Sequence, residues 1–176
     1  MPSYSIIENF EVHKNNRFLE IAESLKPELL HKEIKAAKEI MVGKDRQMRT
    51  VITEEYPIEN LYAKSLKRDD TVFVDFGDHA VGYVTLELSK TGSHQDAPVY
   101  FYLKFGERLE EMTDKTADYD GWLSRGWIQE EYIHVDVLPA KVKLPRRYSF
   151  RYMELRVIDT SAKFQMKING ISCDTV

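Results

Sequence analysis

The sequence has very little cysteine and no excess of positive charge. Cys173 is the single cysteine, so the chain cannot form an internal disulfide, and its place near the end suggests no catalytic role. The formal net charge of −4 argues against the basic face or stripe that marks a nucleic-acid-binding protein. A hydrophobic core must therefore hold the fold, and 176 residues suit one domain with an added arm.

A long apolar run is also missing. No stretch approaches the roughly 18 consecutive apolar residues of a membrane-spanning helix. The opening sequence MPSYSIIENFEVHKNN lacks both the basic and the apolar region of a signal peptide. We therefore expect a cytoplasmic protein without a membrane partner, and secretion stays open if the chain is part of a longer protein.

Motifs of known catalytic or metal-binding sites are absent as well. The chain has no G-x-S-x-G, P-loop, H-E-x-x-H or C-x-x-C motif, and its five histidines show no metal-ligand spacing. Glycoside hydrolysis needs two carboxylates about 5 to 10 Å apart. The candidate pairs are Asp118 with Asp120, Glu130 with Glu131, and Glu110 with Glu111. Adjacent carboxylates on a strand would point to opposite faces, so we assign no catalytic residue. The histidine spacing likewise gives no reason to assign a metal ligand.

The first 49 residues favour an arm with one or two helical segments. Asn15 or Asn16 can cap a helix that ends before Pro27, since the residue before a proline avoids the α region. The apolar side chains of this helix share one face: Phe18, Ile21, Ala22 and Leu25.

The segment 28–42 is ambiguous. Several apolar residues fit a helical stripe that Gly43 could cap, whereas Ile34 and Ala36 alternate as in an edge strand. The local pattern slightly favours a second helix.

From residue 50 onward the pattern is that of β-strands. Alternating or β-branched and aromatic segments occur at 72–76, 82–88, 99–105, 132–137, 152–158 and 164–168. Turn sequences separate them and no helical pattern intervenes, which predicts an all-β, antiparallel β-sandwich or jelly roll over residues 50–176. Asn169-Gly170 predicts a hairpin turn, and the strand after it would continue past Val176 as in a truncated domain.

Both tryptophans fall in one aromatic and acidic stretch, residues 119–136. A sugar presents apolar C–H faces and hydroxyl edges, so an aromatic plate with carboxylate, amide or guanidinium partners suits it. We therefore predict a carbohydrate site formed by Tyr119, Asp120, Trp122, Arg125, Trp127, Gln129 and Glu130. Trp122 follows a glycine in a loop, which leaves an exposed position and a core position equally open. Trp127 leads into a strand and is expected in the core, a common place for a large aromatic ring.

Calcium is a candidate cofactor of the same region. Asp114, Asp118 and Asp120 form an alternating acidic loop. Only a fragment of a calcium-loop motif is present, however, and a solvated acidic loop is the expected state.

Three segments, in order, share the pattern of one known family. They are FVDFGDHAVGYVTLEL, YFYLKFGERLEE and LPRRYSFRYMELRV. This set resembles the N-terminal β-sandwich domain of bacterial α-L-rhamnosidases, glycoside hydrolase family 78. In the first motif, Gly77 and Gly82 would bracket a bend between two strands, and Asp75 and Asp78 would bond turn amides. In the third, Arg151 would lie in a strand and pair with an acid or stack on a ring.

The resemblance implies a parent protein that hydrolyses or binds L-rhamnose-containing glycans. In this family the chemistry belongs to a separate (α/α)₆ barrel, and no catalytic residue carries over to this chain. A related carbohydrate-binding module binds rhamnose with calcium, and the family's sandwich domains usually start with extended chain, which argues against a helix at 28–42. The first hypothesis is an accessory sugar-binding domain. The alternative is a structural domain that packs on the barrel and binds no ligand.

Overall fold

The computed structural model describes residues 13–175. Residues 1–12, on which the signal-peptide prediction rests, and Val176, past which a strand was expected to continue, lie outside the described residues. The helices are α1 (Asn16–Ser24) and α2 (Ile58–Ala63). Neither is long and apolar enough to cross a membrane. The strands are β1 (Lys32–Lys35), β2 (Lys38–Lys44), β3 (Thr50–Pro57), β4 (Thr71–Gly92), β5 (Val99–Gly106), β6 (Glu130–Val135), β7 (Ala140–Lys143), β8 (Tyr148–Asp159) and β9 (Phe164–Thr175).

The first predicted helix is confirmed. The side chain of Asn15 accepts a hydrogen bond from the Phe18 N–H, 3.3 Å away, and the helix ends before Pro27. None of its residues is buried. The apolar face of α1 is therefore turned to solvent.

The second predicted helix is wrong, because the segment 28–42 contains strands β1 and the start of β2. β1 pairs antiparallel with β9, and β2 pairs with both β3 and β4. This pairing buries Ala36 and Ile40, which a solvent-exposed helix could not do. Burial against three neighbouring strands outweighs a weak local preference for helix. The extended chain implied by the family resemblance is what the structure shows.

Strand β4 is the centre of the sheet, and every strand pairing is antiparallel. Its first half pairs with β2 and β8, and its second half pairs with β9 and β7. The two predicted strands 72–76 and 82–88 are therefore one strand of 22 residues. The predicted bend between two strands is instead a bulge within one, where the register with β8 shifts between Asp75 and Ala80.

The predicted sandwich-like, all-β architecture is confirmed. Side chains from both halves of β4, including Val74 and Leu86, meet side chains of β5, β8 and β9 in one hydrophobic core. A smaller cluster on the opposite face of the sheet contains Ile40, Met112 and Tyr152. A 3₁₀ turn at Leu109–Met112 covers that cluster.

The prediction of a hairpin turn at Asn169-Gly170 is also wrong, because β9 continues without a turn through both residues. Glu87 pairs with Gly170 and Leu88 pairs with Ile168, so Asn169 is an extra residue in the ladder. The bulge resets the alternation of side chains, and Ile168 and Ile171 both point into the core. Continuous pairing with β4 on both sides of the bulge explains why the chain does not turn here.

The bulge in β4 is held by an ion pair between a buried carboxylate, Asp75, and a half-buried guanidinium, Arg151. Asp75 is 3% exposed, and the Nε and Nη2 atoms of Arg151 each donate to its carboxylate at 2.9 Å. The Gly77 N–H donates to the same carboxylate at 2.7 Å, and Gly77 has the positive φ of 86° that favours glycine. Arg151 also lies over the ring of Tyr152. The predicted roles of Asp75 and Arg151 are confirmed.

The same contacts set the ionisation of Asp75. Burial alone would raise the pKa of its carboxyl group, but the hydrogen bonds from Arg151 and Gly77 hold the pKa below the ordinary value of 3.8. Because the folded pKa lies below the unfolded one, the ionised carboxylate stabilises the fold above about pH 4. This contribution is lost as the pH falls through the folded pKa.

We predict that Arg151→Met lowers the free energy of unfolding at pH 7 by about 2 to 4 kcal/mol, since it leaves Asp75 buried without its partner. The difference from wild type should narrow as the pH falls, because the folded variant, in which burial raises the pKa of Asp75 without Arg151 to oppose it, takes up a proton at a higher pH than the folded wild type does. Urea unfolding at several pH values measures both effects. Arg147→Met is the control, because Arg147 is exposed and the change in charge is the same. Equal losses for both variants would contradict the role of the pair.

Candidate functional site

The predicted site lies in the connection between β5 and β6, of which residues 113–129 are here called the aromatic loop. Lys104 on β5 is buried, and its Nζ donates to the Asp114 carbonyl at 2.5 Å. The hydroxyl of Thr116 donates to the carboxylate of Glu130 on β6. The aromatic loop is thereby fastened to both of the strands that it connects.

The aromatic loop borders a hollow of about 700 Å³ that is open to solvent at the end of β5, here called the loop hollow. Its wall includes Lys104, Asp118, Tyr119, Asp120, Trp127 and Gln129. Four of the seven predicted residues, Tyr119, Asp120, Trp127 and Gln129, are therefore brought together. Trp122, Arg125 and Glu130 do not line this hollow.

Both tryptophan side chains lie in solvent. Trp122 is 93% exposed, the first of the two positions that the sequence left open, and Trp127 is 75% exposed. The prediction of a core position for Trp127 is wrong. Trp127 ends a 3₁₀ turn at Arg125–Trp127, and β6 starts only at Glu130, so the indole never enters the sheet.

Arg125 and Gln129 have structural contacts that the sequence did not indicate. The guanidinium of Arg125 donates to the carbonyls of Ala117 and Tyr119 at 3.2 and 3.1 Å, which closes the aromatic loop on itself. The amide of Gln129 donates to the Ser149 carbonyl at 2.8 Å and accepts from the Ser149 N–H at 2.7 Å. The contacts of Arg125 hold the aromatic loop closed, and those of Gln129 fix the end of the loop against β8.

Glu130 and Glu131 point to opposite faces of β6, as predicted for neighbours on a strand. Glu130 accepts from the Tyr102 hydroxyl at 2.5 Å. Glu131 accepts from Arg146 Nε at 2.8 Å and from the Tyr148 hydroxyl at 2.7 Å. The two carboxylates belong to separate networks and do not flank a common space.

The acidic residues of the aromatic loop do not assemble into a metal site. Within residues 13–175, no group of three or more His, Cys, Asp or Glu side chains is placed to hold a metal ion. Asp114, Asp118 and Asp120 are thus not arranged as a set of calcium ligands, and we propose no calcium site there.

Sequence reasoning missed a cluster of His79, Ser149 and Glu107 beside the bulge. Ser149 Oγ donates to Glu107 Oε1 at 2.5 Å, while His79 Nε2 lies 3.0 Å from Ser149 Oγ and 3.4 Å from Glu107 Oε1. The hydrogen bond from Ser149, followed by that of His79, lowers the pKa of Glu107. Because both partners meet the same ring nitrogen, the cluster lacks the nucleophile, base and acid order of a catalytic triad. No local motif could have indicated it, since the three residues are far apart in sequence.

Comparisons with known proteins agree with this architecture. Residues 38–175 match the family described as glycosyl hydrolase family 78 alpha-rhamnosidase N-terminal domain. Among solved structures, the chain is similar to a rhamnosidase from Klebsiella oxytoca with rhamnose bound, with 34% sequence identity and a TM-score of 0.85. The similarity covers 93% of this chain and 32% of that one, so the chain spans about a third of the length of that rhamnosidase. A comparison with curated proteins finds no match.

We predict that both indoles behave as solvent-exposed groups. The tryptophan emission maximum should lie close to that of free tryptophan, acrylamide should quench it efficiently, and unfolding in urea should shift it little. Trp122→Phe and Trp127→Phe each leave one indole to report, and each should change the free energy of unfolding by less than about 0.5 kcal/mol. A blue-shifted and poorly quenched emission from Trp122→Phe would place Trp127 in the core after all.

Proposed function

The chain belongs to the glycosyl hydrolase family 78 α-rhamnosidase N-terminal domain family, and we propose that it is the accessory sandwich of a rhamnosidase-like hydrolase that binds L-rhamnose-containing glycans in the loop hollow. Cleavage of the glycan is assigned to a catalytic barrel of the parent protein. The proposed role of this domain is to hold the glycan.

The observation that carries the proposal is an exposed indole on the wall of a polar hollow. Trp127 offers a flat apolar plate for the C–H face of a sugar ring. Asp118 and Asp120 line the same hollow, and neither side chain has a hydrogen bond or ion pair within residues 13–175. Their carboxylates are available as acceptors for sugar hydroxyls. This arrangement makes Trp127, rather than Trp122, the proposed stacking plate.

The expected affinity is low. A single sugar has few atoms, and a hollow open to solvent buries only part of them, so a dissociation constant in the mM to μM range follows. The rhamnose bound to the similar solved rhamnosidase supports the choice of sugar.

We predict that L-rhamnose binds the wild-type chain and that Trp127→Ala weakens binding at least about tenfold through loss of the stacking plate. Isothermal titration and amide chemical shifts measure the dissociation constant. Asp120→Asn should also weaken binding, because an amide replaces one carboxylate acceptor.

Trp122→Ala is the matched control, since it removes the same side chain from the same loop but outside the hollow. It should bind L-rhamnose as the wild type does. No binding up to tens of mM, or equal effects of both alanine variants, would overturn the loop hollow as the site.

A second candidate function is structural, and the apolar face of α1 favours it. Phe18, Ile21 and Leu25 are exposed, and so are Leu29 and Leu30 just after the helix. An exposed apolar surface of this kind commonly marks a protein-protein contact. The alternative proposal is that this surface packs on the catalytic barrel of the parent protein and that the domain binds no ligand.

The structural proposal predicts self-association of the isolated chain through the α1 face. Sedimentation velocity should show a weight-average mass that rises with concentration, and combining Phe18→Ser with Leu25→Ser should abolish the rise. Val137→Ser is the control, because Val137 is an exposed apolar residue elsewhere on the surface. A monomer at every concentration, combined with rhamnose binding, would favour the sugar-binding proposal instead.

A further inference from the structure

The outer face of strands β5, β6 and β8 carries cross-strand rows of aromatic and charged residues beside the loop hollow. In one row Tyr132, Tyr102 and Arg156 are direct neighbours across the three strands. In the next row the neighbours are Glu130, Lys104 and Glu154. A third pair, His134 and Tyr100, follows on the other side of the tyrosine row. Because these positions alternate with core residues, their side chains share the face that points away from the core.

The rings of this face form a continuous strip. The rings of Tyr100 and His134 stack with centroids 3.9 Å apart and planes 5° apart. The rings of Tyr102 and Tyr132 are 5.1 Å apart, and the Arg156 guanidinium lies 4.9 Å from the centroid of the Tyr102 ring. Tyr132 is 59% exposed, so its ring is accessible from solvent, whereas the neighbouring ring of Tyr102 is buried.

A cleft of about 340 Å³ lies where the strip meets the aromatic loop, and it is here called the strand cleft. Its wall includes Tyr102, Tyr132, Glu130, Glu154, Arg156 and Thr116. Residues 113–116 line both the strand cleft and the loop hollow, which therefore lie side by side. A ligand longer than one sugar could contact both by crossing this segment.

Glu154 gives the strand cleft an acceptor that the fold does not satisfy. Within residues 13–175 its carboxylate receives no hydrogen bond. Burial raises its pKa, and the positive charges of Arg156 and Lys104 only partly offset this effect. A half-buried carboxylate without a donor gains from any hydroxyl group brought next to it.

The chemistry of the strand cleft favours a saccharide over other ligands. On the wall of the strand cleft the carboxylates of Asp114, Glu130 and Glu154 outnumber the cations of Lys115 and Arg156, which disfavours the phosphates of a nucleic acid. A purely apolar partner would leave the carboxylate of Glu154 desolvated and without a hydrogen-bond donor. A sugar chain supplies C–H faces for the tyrosine rings and hydroxyl groups for the carboxylates.

We propose that the strand cleft is a second saccharide subsite and that the domain binds an oligosaccharide extending from the loop hollow across residues 113–116 onto the tyrosine strip. Tyr132 is the stacking plate of this subsite, and Glu154 accepts a hydroxyl hydrogen bond. The choice of rhamnose as the sugar rests on the proposed function, whereas the existence of the subsite rests on the geometry of β5, β6 and β8.

The test compares L-rhamnose with an α-linked L-rhamnose trisaccharide by isothermal titration on the 176-residue chain. We expect the trisaccharide to bind wild type at least tenfold more tightly than the monosaccharide, about 1.4 kcal/mol or more. Tyr132→Ala and Glu154→Gln should remove this gain and leave rhamnose affinity unchanged. Tyr132→Phe, which keeps the ring, should retain the gain, and Tyr56→Ala, an exposed tyrosine on β3, is the matched control. Thermal unfolding of each variant confirms that it is folded.

The outcomes separate this inference from the proposed function. Equal affinities for the two sugars, with binding lost in Trp127→Ala, would overturn the second subsite and leave the loop hollow in place. Trisaccharide binding that is lost in Tyr132→Ala and Glu154→Gln but kept in Trp127→Ala would support the strand cleft as a binding site and overturn the loop hollow as one. Absence of binding by either sugar to folded wild type would overturn both.

Discussion

The ion pair of Asp75 and Arg151 is the contact on which the rest of the architecture depends. Asp75 pairs with Tyr152 and Ala80 pairs with Phe150, so Arg151 alone stands opposite the four residues from 76 to 79. Its guanidinium bonds the carboxylate of Asp75, and that carboxylate in turn bonds the N–H of Gly77. The extra residues are thereby held in place within β4. Beyond them, β4 continues in pairing with β9 and β7, which contribute the other half of the core.

Both candidate sites follow from the way β5 and β6 carry the aromatic loop. Lys104 and Glu130 are cross-strand neighbours, and each fastens a different part of the loop, through the Asp114 carbonyl and the Thr116 hydroxyl. The loop hollow opens on one side of this attachment and the strand cleft on the other. Lys104 and Glu130 therefore hold in place the backbone of residues 113–116, which separates the loop hollow from the strand cleft. A ligand surface built in this way is positioned by rigid strands even though its aromatic plates are exposed.

The fold was predictable where local chemistry and burial agree. The Asn15 cap, the alternating strands from residue 72 onward and the pairing role of Arg151 all follow from short-range patterns. The prediction failed where a distant strand outweighs the local signal. Segment 28–42 is extended because β3, β4 and β9 pair with it, and Asn169 is a bulge because β4 keeps β9 paired on both sides. In the site, four of the seven residues predicted from the stretch 119–136 line one hollow, and their sugar-binding role stays a prediction. Of these four, Asp120 carries a carboxylate that accepts no hydrogen bond from the described residues. Arg125 and Gln129 turned out to be occupied by backbone groups, and Glu154 had no local signal at all.

The sequence by itself determined an antiparallel β protein that resembles the rhamnosidase family, with both tryptophans in one short stretch. Alternation with a period of two and the glycine and aspartate of the first motif carry that information, because each acts over a few neighbouring residues. Only the tertiary structure decided that Trp127 stays in solvent, that four of the predicted residues share a hollow, and that Tyr132 and Glu154 form a cleft with them close by. The convergence of those side chains depends on the register of β5, β6 and β8, and register is set by the packing of the whole core rather than by any one segment.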